Sequence, residues 1–245
     1  VQAFIYIALL SLPILLAGFA MFKIKLSENR LKVILAFSAA YLLALSFLHL
    51  IPEVFASQPA RQAGLWIIAG FFIQVLLEFF SSGIEHGHAH IHSENHKIPF
   101  VLLFGLFLHS FIEGLPLAGI FSAGDILENK SLVSFLAGIT LHNIPISVAF
   151  TGLLLHQHIS KNKIAFYLTL FSLMAPCGAF AGYLIEKTFP GVAQLSSIFT
   201  ALVIGIFLHI ATTIIFESSE KNHRYHISKL LSILLGLTLA WLMSA

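Results

Sequence analysis

Of the 245 residues, 58% are hydrophobic and only 10% are Asp, Glu, Lys or Arg, and the mean hydropathy is +0.93. Soluble domains carry roughly 25% charged residues, so this chain cannot cover its own surface for water; a soluble enzyme and a DNA-binding protein are both excluded. Thirteen basic against 11 acidic residues give a net charge of +2, too even a balance for a nucleic-acid partner, and the lone Cys177 rules out an intramolecular disulfide framework.

Eight apolar stretches follow one another, at approximately 1–22, 33–52, 64–82, 99–121, 132–155, 164–185, 192–216 and 227–244. Each is close to the ~20 residues that span a bilayer as a helix, and the period-2 alternation of a β-barrel strand is absent. The expected fold is therefore an all-α integral membrane protein, one transmembrane domain over 1–245 with eight helices in a lipid bilayer. The first stretch has no basic residue ahead of it and no small-residue cleavage pattern, so it reads as a span and not a signal peptide. Val1 in place of a Met suggests that a few leading residues were trimmed.

Loop charge sets the expected orientation. Lys23, Lys25, Arg30 and Lys32 lie in the first loop, Lys97 in the third, Lys161 and Lys163 in the fifth, and Lys221, Arg224 and Lys229 in the seventh, ten of the 13 basic residues. The positive-inside rule then makes the odd loops cytoplasmic and both termini extracytoplasmic. Phe47-Leu48-His49-Leu50 in the second stretch is echoed by Phe207-Leu208-His209-Ile210 in the seventh. Those spans run in opposite directions, as an inverted repeat requires, although a chain this rich in Phe and Leu also yields such echoes by chance.

The third loop, at about 83–98, holds His86, His88, His90, His92 and His96 interleaved with Glu85 and Glu94, a composition that binds transition metals without fixed geometry or serves as a solvated linker. Ahead of it, Glu78 is placed to snorkel to the interface. The fourth stretch carries Glu113 near mid-membrane, where a carboxylate costs on the order of 3 kcal/mol on insertion scales. His109 precedes it by four residues and so shares its helix face, and the fifth stretch brings His142-Asn143-Ile144-Pro145 to a similar depth. Two imidazoles and a carboxylate form a donor set suited to zinc and acceptable to iron or manganese. Pro52, Pro116 and Pro145 each free the carbonyl four residues earlier, next to His49, Glu113 and His142 respectively, and unpaired backbone at this depth is tolerated only inside protein or along a cavity. The competing reading is that His109 and Glu113 bond each other as buried glue between kinked helices. His156, His158, His223 and His226 flank spans with no specific role expected, and Gly178 with Gly182 forms a small-x-x-x-small pair suited to close helix packing.

In its order of motifs the chain resembles the ZIP (Zrt/Irt-like) family of divalent-metal transporters. The matching segments are FLHLIPE (Phe47 to Glu53), the His-rich third loop, HSFIEG (His109 to Gly114), HNIP (His142 to Pro145) and PCGAFAG (Pro176 to Gly182). The resemblance implies a multi-pass cell-membrane protein, with a bacterial inner membrane as the expected residence. It further implies uptake of Zn2+, with Fe2+, Mn2+ or Cd2+ as alternatives, by an elevator-like or rocking movement of a bundle containing the fourth and fifth spans; a homodimer is an allowed assembly. His109, Glu113 and His142 match the family's primary metal site, and Asn143 joins them as a candidate ligand. At positions where the family places ligands of a second, adjacent metal, this chain has Ser110, Ile146 and Ala175, so one metal is expected. The Glu and Gly that many bacterial members carry after the fifth-span proline are Ile146 and Ser147 here, and the seventh span keeps only Glu217 near its end. The rival from another class is a membrane-embedded zinc hydrolase, with the same three ligands and an activated water in the fourth position.

Overall fold

The computed structural model describes residues 2–81, 100–121, 130–190, 194–216 and 223–244. It is all-helical, with no strand among the described residues: α1 (Gln2–Ala20), α2 (Glu28–Leu45), α3 (Ile51–Ser57), α4 (Ala60–Ser81), α5 (Phe100–Gly114), α6 (Lys130–His156), α7 (Lys161–Thr188), α8 (Leu195–Phe216) and α9 (His223–Ser244). Among the described residues, seven helical segments are long and apolar enough to cross a membrane; the eighth expected span lies in α9, where the apolar run Ile227–Met243 is shorter. The chain is a multi-pass membrane protein. The second span exceeds its expected bounds, running through Glu28–Ser57, because the charged first turn is itself helical and is closed by a Lys32–Glu28 pair at 2.9 Å.

Two prolines change the helix type where they occur. Pro52 has no N–H to give, and the turn before it, Ser46–Leu50, widens to a π-helix in which the Ile51 N–H reaches back to the Ser46 carbonyl. Pro116 ends α5, which continues as a tighter 3-10 segment, Leu115–Phe121. Pro145 stays inside α6 and Pro176 inside α7.

The spans pack in two groups. Helices α1, α5, α6 and α7 share an apolar cluster that includes Ile14, Leu102, Leu106, Ile146, Phe150 and Phe171. In the other group α4 lies along α8 and α2 along α9. Glycine lets backbones touch in both: a Cβ on Gly70 would overlap the Leu202 carbonyl and one on Gly205 the Ile67 carbonyl, while Gly178 and Gly182 sit in the same way against the carbonyls of Phe111 and Leu115. The close packing expected of Gly178 and Gly182 is thus realised between α7 and the α5 span. Leu65, Ile68, Phe72, Leu76 and Phe79 form an exposed stripe on α4 at helical spacing, the face such a span turns to lipid.

Candidate metal centre

Residues 109 to 113 make one turn of α5, and the i,i+4 spacing aims His109 and Glu113 at the same neighbour, α6. Their side chains meet, with His109 Nε2 3.2 Å from Glu113 Oε1. From α6, the His142 ring lies 6.1 Å centroid to centroid from the His109 ring, inclined by 76°. Asn143 donates through Nδ2 to Glu113 Oε2 at 3.2 Å and to the Ile139 carbonyl at 3.1 Å. One ligand atom from each of His109, Glu113 and His142 falls within 4.8 Å of the other two. All four residues are fully buried. Every residue expected at the site is therefore brought to one place, from two helices.

The surroundings explain the burial. Leu102 and Leu106 of α5 lie on one side of the polar pair, with Leu117 and Ile120 of the 3-10 segment beyond it; along α6, Phe135 and Ile139 precede His142 and Ile146 and Phe150 follow Asn143. The first and last pairs on each side belong to two different apolar clusters, so the polar residues form a thin layer sealed between them. The Asn143 amide donates to one oxygen of the carboxylate there, and a cation entering the layer would exchange its water shell for N and O ligands. Asn143 Oδ1, an acceptor, has no hydrogen-bond partner among the described residues; a bound cation would satisfy it. Ile146 and Ala175 are fully buried apolar residues and add no donor to the three candidate ligands.

Sequence reasoning missed Gln74. It lies fully buried on α4, with Oε1 2.9 Å from His109 Nδ1. An amide deep in an otherwise apolar span was the available signal, since such a group needs a partner. Glu78, one turn further along α4, does not simply snorkel: its Oε2 lies 3.4 Å from His209 Nε2 on α8, and the His209 ring stands edge-on to Phe71 at 4.9 Å. The two halves of the Phe-Leu-His echo differ in consequence. His209 meets Glu78, whereas His49 sits in the π-helical turn with Nε2 buried and without a hydrogen-bond partner among the described residues. His86 to His96 and Glu217 lie outside the described residues. A cavity of about 140 Å³ is lined by Glu53, Pro116, Ser131 and Thr200, among others, three residues along the chain from Glu113 at its nearest, and in it Ser131 donates to Glu53 Oε2 at 2.6 Å.

A multi-span helical protein with a buried His/Glu/His layer between two of its spans is a membrane protein whose interior holds a group of side chains that could bind a metal ion. The family model described as "ZIP Zinc transporter" matches residues 1–99 and 86–244. The chain belongs to the ZIP family. It is 27% identical over 168 residues to zinc transporter ZIP9 of Xenopus tropicalis, covering 61% of this chain and 50% of that one. It is 24% identical over 158 residues to zinc transporter ZIP1 of Danio rerio, covering 63% and 50%. To zinc transporter zipt-7.1 of Caenorhabditis briggsae it is 22% identical over 268 residues, covering 84% and 67%. The chain thus spans about half the length of the ZIP9 and ZIP1 relatives it matches.

Proposed function

We propose that this chain carries divalent transition-metal ions, Zn2+ first among them, across the membrane and into the cytoplasm, one cation at a time, through His109, Glu113, His142 and Asn143. The observation that carries the reading is the buried convergence of three ligand atoms within 4.8 Å, in a chain of the ZIP family. Nitrogen donors with a single carboxylate favour zinc-like ions over Mg2+ and Ca2+, which prefer all-oxygen shells; Fe2+, Mn2+ and Cd2+ remain within reach of the same donors. Two neutral imidazoles and one carboxylate leave a Zn2+ complex with net positive charge, a site loose enough to release its cargo. A second divalent cation about 4 Å away would need bridging or added carboxylates to offset the repulsion. Ile146 and Ala175 supply none.

The layer is closed on both sides, so passage requires the apolar clusters above and below it to part in turn, as when one helix group rocks against the other. The orientation follows loop charge, which puts both termini and the Glu53-lined cavity outside and His86 to His96 in the cytoplasm. Single cysteines placed in each loop and labelled with an impermeant thiol reagent in intact cells should react in the even loops only; labelling of the third loop would reverse the orientation. Residence in a bacterial inner membrane is part of the same proposal, the relatives named above being animal proteins. A homodimer is allowed and enters none of these steps. The hydrolase alternative has no support from a family described as zinc transporters. Purified protein in liposomes loaded with a fluorescent zinc indicator should respond to external Zn2+, and a silent preparation with correctly inserted protein would defeat the reading.

A further inference from the structure

Gln74 reaches the metal site from outside the two helices that supply its ligands. Its Oε1 lies 2.9 Å from His109 Nδ1, and an amide oxygen can only accept a hydrogen bond. The Nδ1 nitrogen therefore carries the proton. In the neutral ring this leaves the lone pair on Nε2, the atom 3.2 Å from Glu113 Oε1 and hence the one turned into the ligand cluster. Metal-ligating histidines almost always donate their other N–H to an outer partner that fixes tautomer and ring orientation. Gln74 is fully buried at a depth where leucine would be far cheaper to insert. It also belongs to α4, which packs along α8, whereas His109 and His142 stand on α5 and α6 of the other group.

We propose that Gln74 is a positioning residue for the metal site: it holds His109 in the Nδ1–H tautomer with the Nε2 lone pair directed into the ligand cluster, and it does so from across the boundary between the helix groups. His109 is then presented in ligating form while α5 holds its present register against α4. Displacing one group by more than the reach of an amide side chain releases the ring. The inference rests on the transport reading, and it adds a residue outside the ligand-bearing helices to the binding step.

The test uses the full chain in zinc-indicator liposomes, comparing wild type with Gln74→Leu, which removes the acceptor, and Gln74→Glu, which keeps one. Outer partners of metal ligands typically contribute 10–100-fold in affinity, so the apparent KM for Zn2+ should rise roughly tenfold or more in Gln74→Leu and by less than about threefold in Gln74→Glu. A merely structural role would lower abundance or maximal rate without this split. Histidine 15N spectra, with the His109 signals identified by difference against His109→Ala, should show a single Nδ1–H tautomer in wild type and a mixture in Gln74→Leu. An unchanged KM and tautomer in Gln74→Leu would overturn the proposal. So would an equal rise in KM for Gln74→Glu, which also covers the case of a Leu variant that fails to fold. Absence of uptake by wild type would instead defeat the transport reading, and the spectra would still decide the tautomer.

Discussion

Alanine at Glu113 or at His109 abolishes zinc uptake while the protein still inserts at normal abundance; that is the expected result of the two most informative substitutions. Each removes one of the three atoms that could ligate a metal ion and that lie within 4.8 Å of one another. Losing even an outer partner of a ligand costs 10–100-fold in affinity, so losing the ligand itself should cost about two orders of magnitude or more. Insertion should not suffer, since taking a carboxylate out of mid-membrane removes a penalty of about 3 kcal/mol. Uptake normalised to membrane abundance measures the first quantity. Elemental analysis of protein lacking His86 to His96, whose histidines would confuse the count, measures the second: about one zinc per chain should fall to none in either variant. Near-normal uptake by both would mean that the His109–Glu113 contact is glue between helices. Two metals close together near Glu113 would mean that Ile146 and Ala175 have been misread.

The site was legible because the membrane makes polar residues expensive. Glu113 and His109 at mid-span needed a reason, helical spacing put them on one face, and His142 and Asn143 lay at matching depth on the next span, so four residues could be grouped without coordinates. Gln74 escaped because an uncharged amide is cheap enough to pass as an ordinary packing residue, and its partner is 35 positions away. Glu78 escaped for a related reason: near the end of a span a carboxylate can reach water unaided, so nothing in the sequence demanded His209. The helix types at Pro52 and Pro116 were legible only in part. A missing N–H predicts a broken hydrogen bond, but whether the chain widens into a π-turn before the proline or tightens into a 3-10 segment around it depends on what packs against that turn.

Gly178→Ala tests how the site is held in place, with a large effect expected from one methyl group. A Cβ at residue 178 would overlap the Phe111 carbonyl oxygen and lie 3.2 Å from Gly114 Cα, both backbone atoms of α5 that no rotamer change can move aside. The reverse contact repeats the constraint, for a Cβ on Gly114 would overlap the Ala175 carbonyl. Helix α7 must then back away from α5, and in a bilayer no hydrophobic force restores the contact, since lipid is as apolar as leucine. Overpacking of this kind typically costs 1–3 kcal/mol. The functional cost should be greater, because Phe111 lies between His109 and Glu113 on the chain, and ligand geometry tolerates displacements of only about 0.5 Å. The expected outcome is a lowered thermal midpoint in detergent together with loss of most zinc uptake. Gly64→Ala provides the control, having nothing within 4 Å of its Cβ position; alanine there should leave uptake intact and hold or slightly raise stability, in line with the roughly 1 kcal/mol advantage of alanine over glycine in a helix. Wild-type stability and uptake in Gly178→Ala would show that α7 does not set the position of the turn that carries His109 and Glu113.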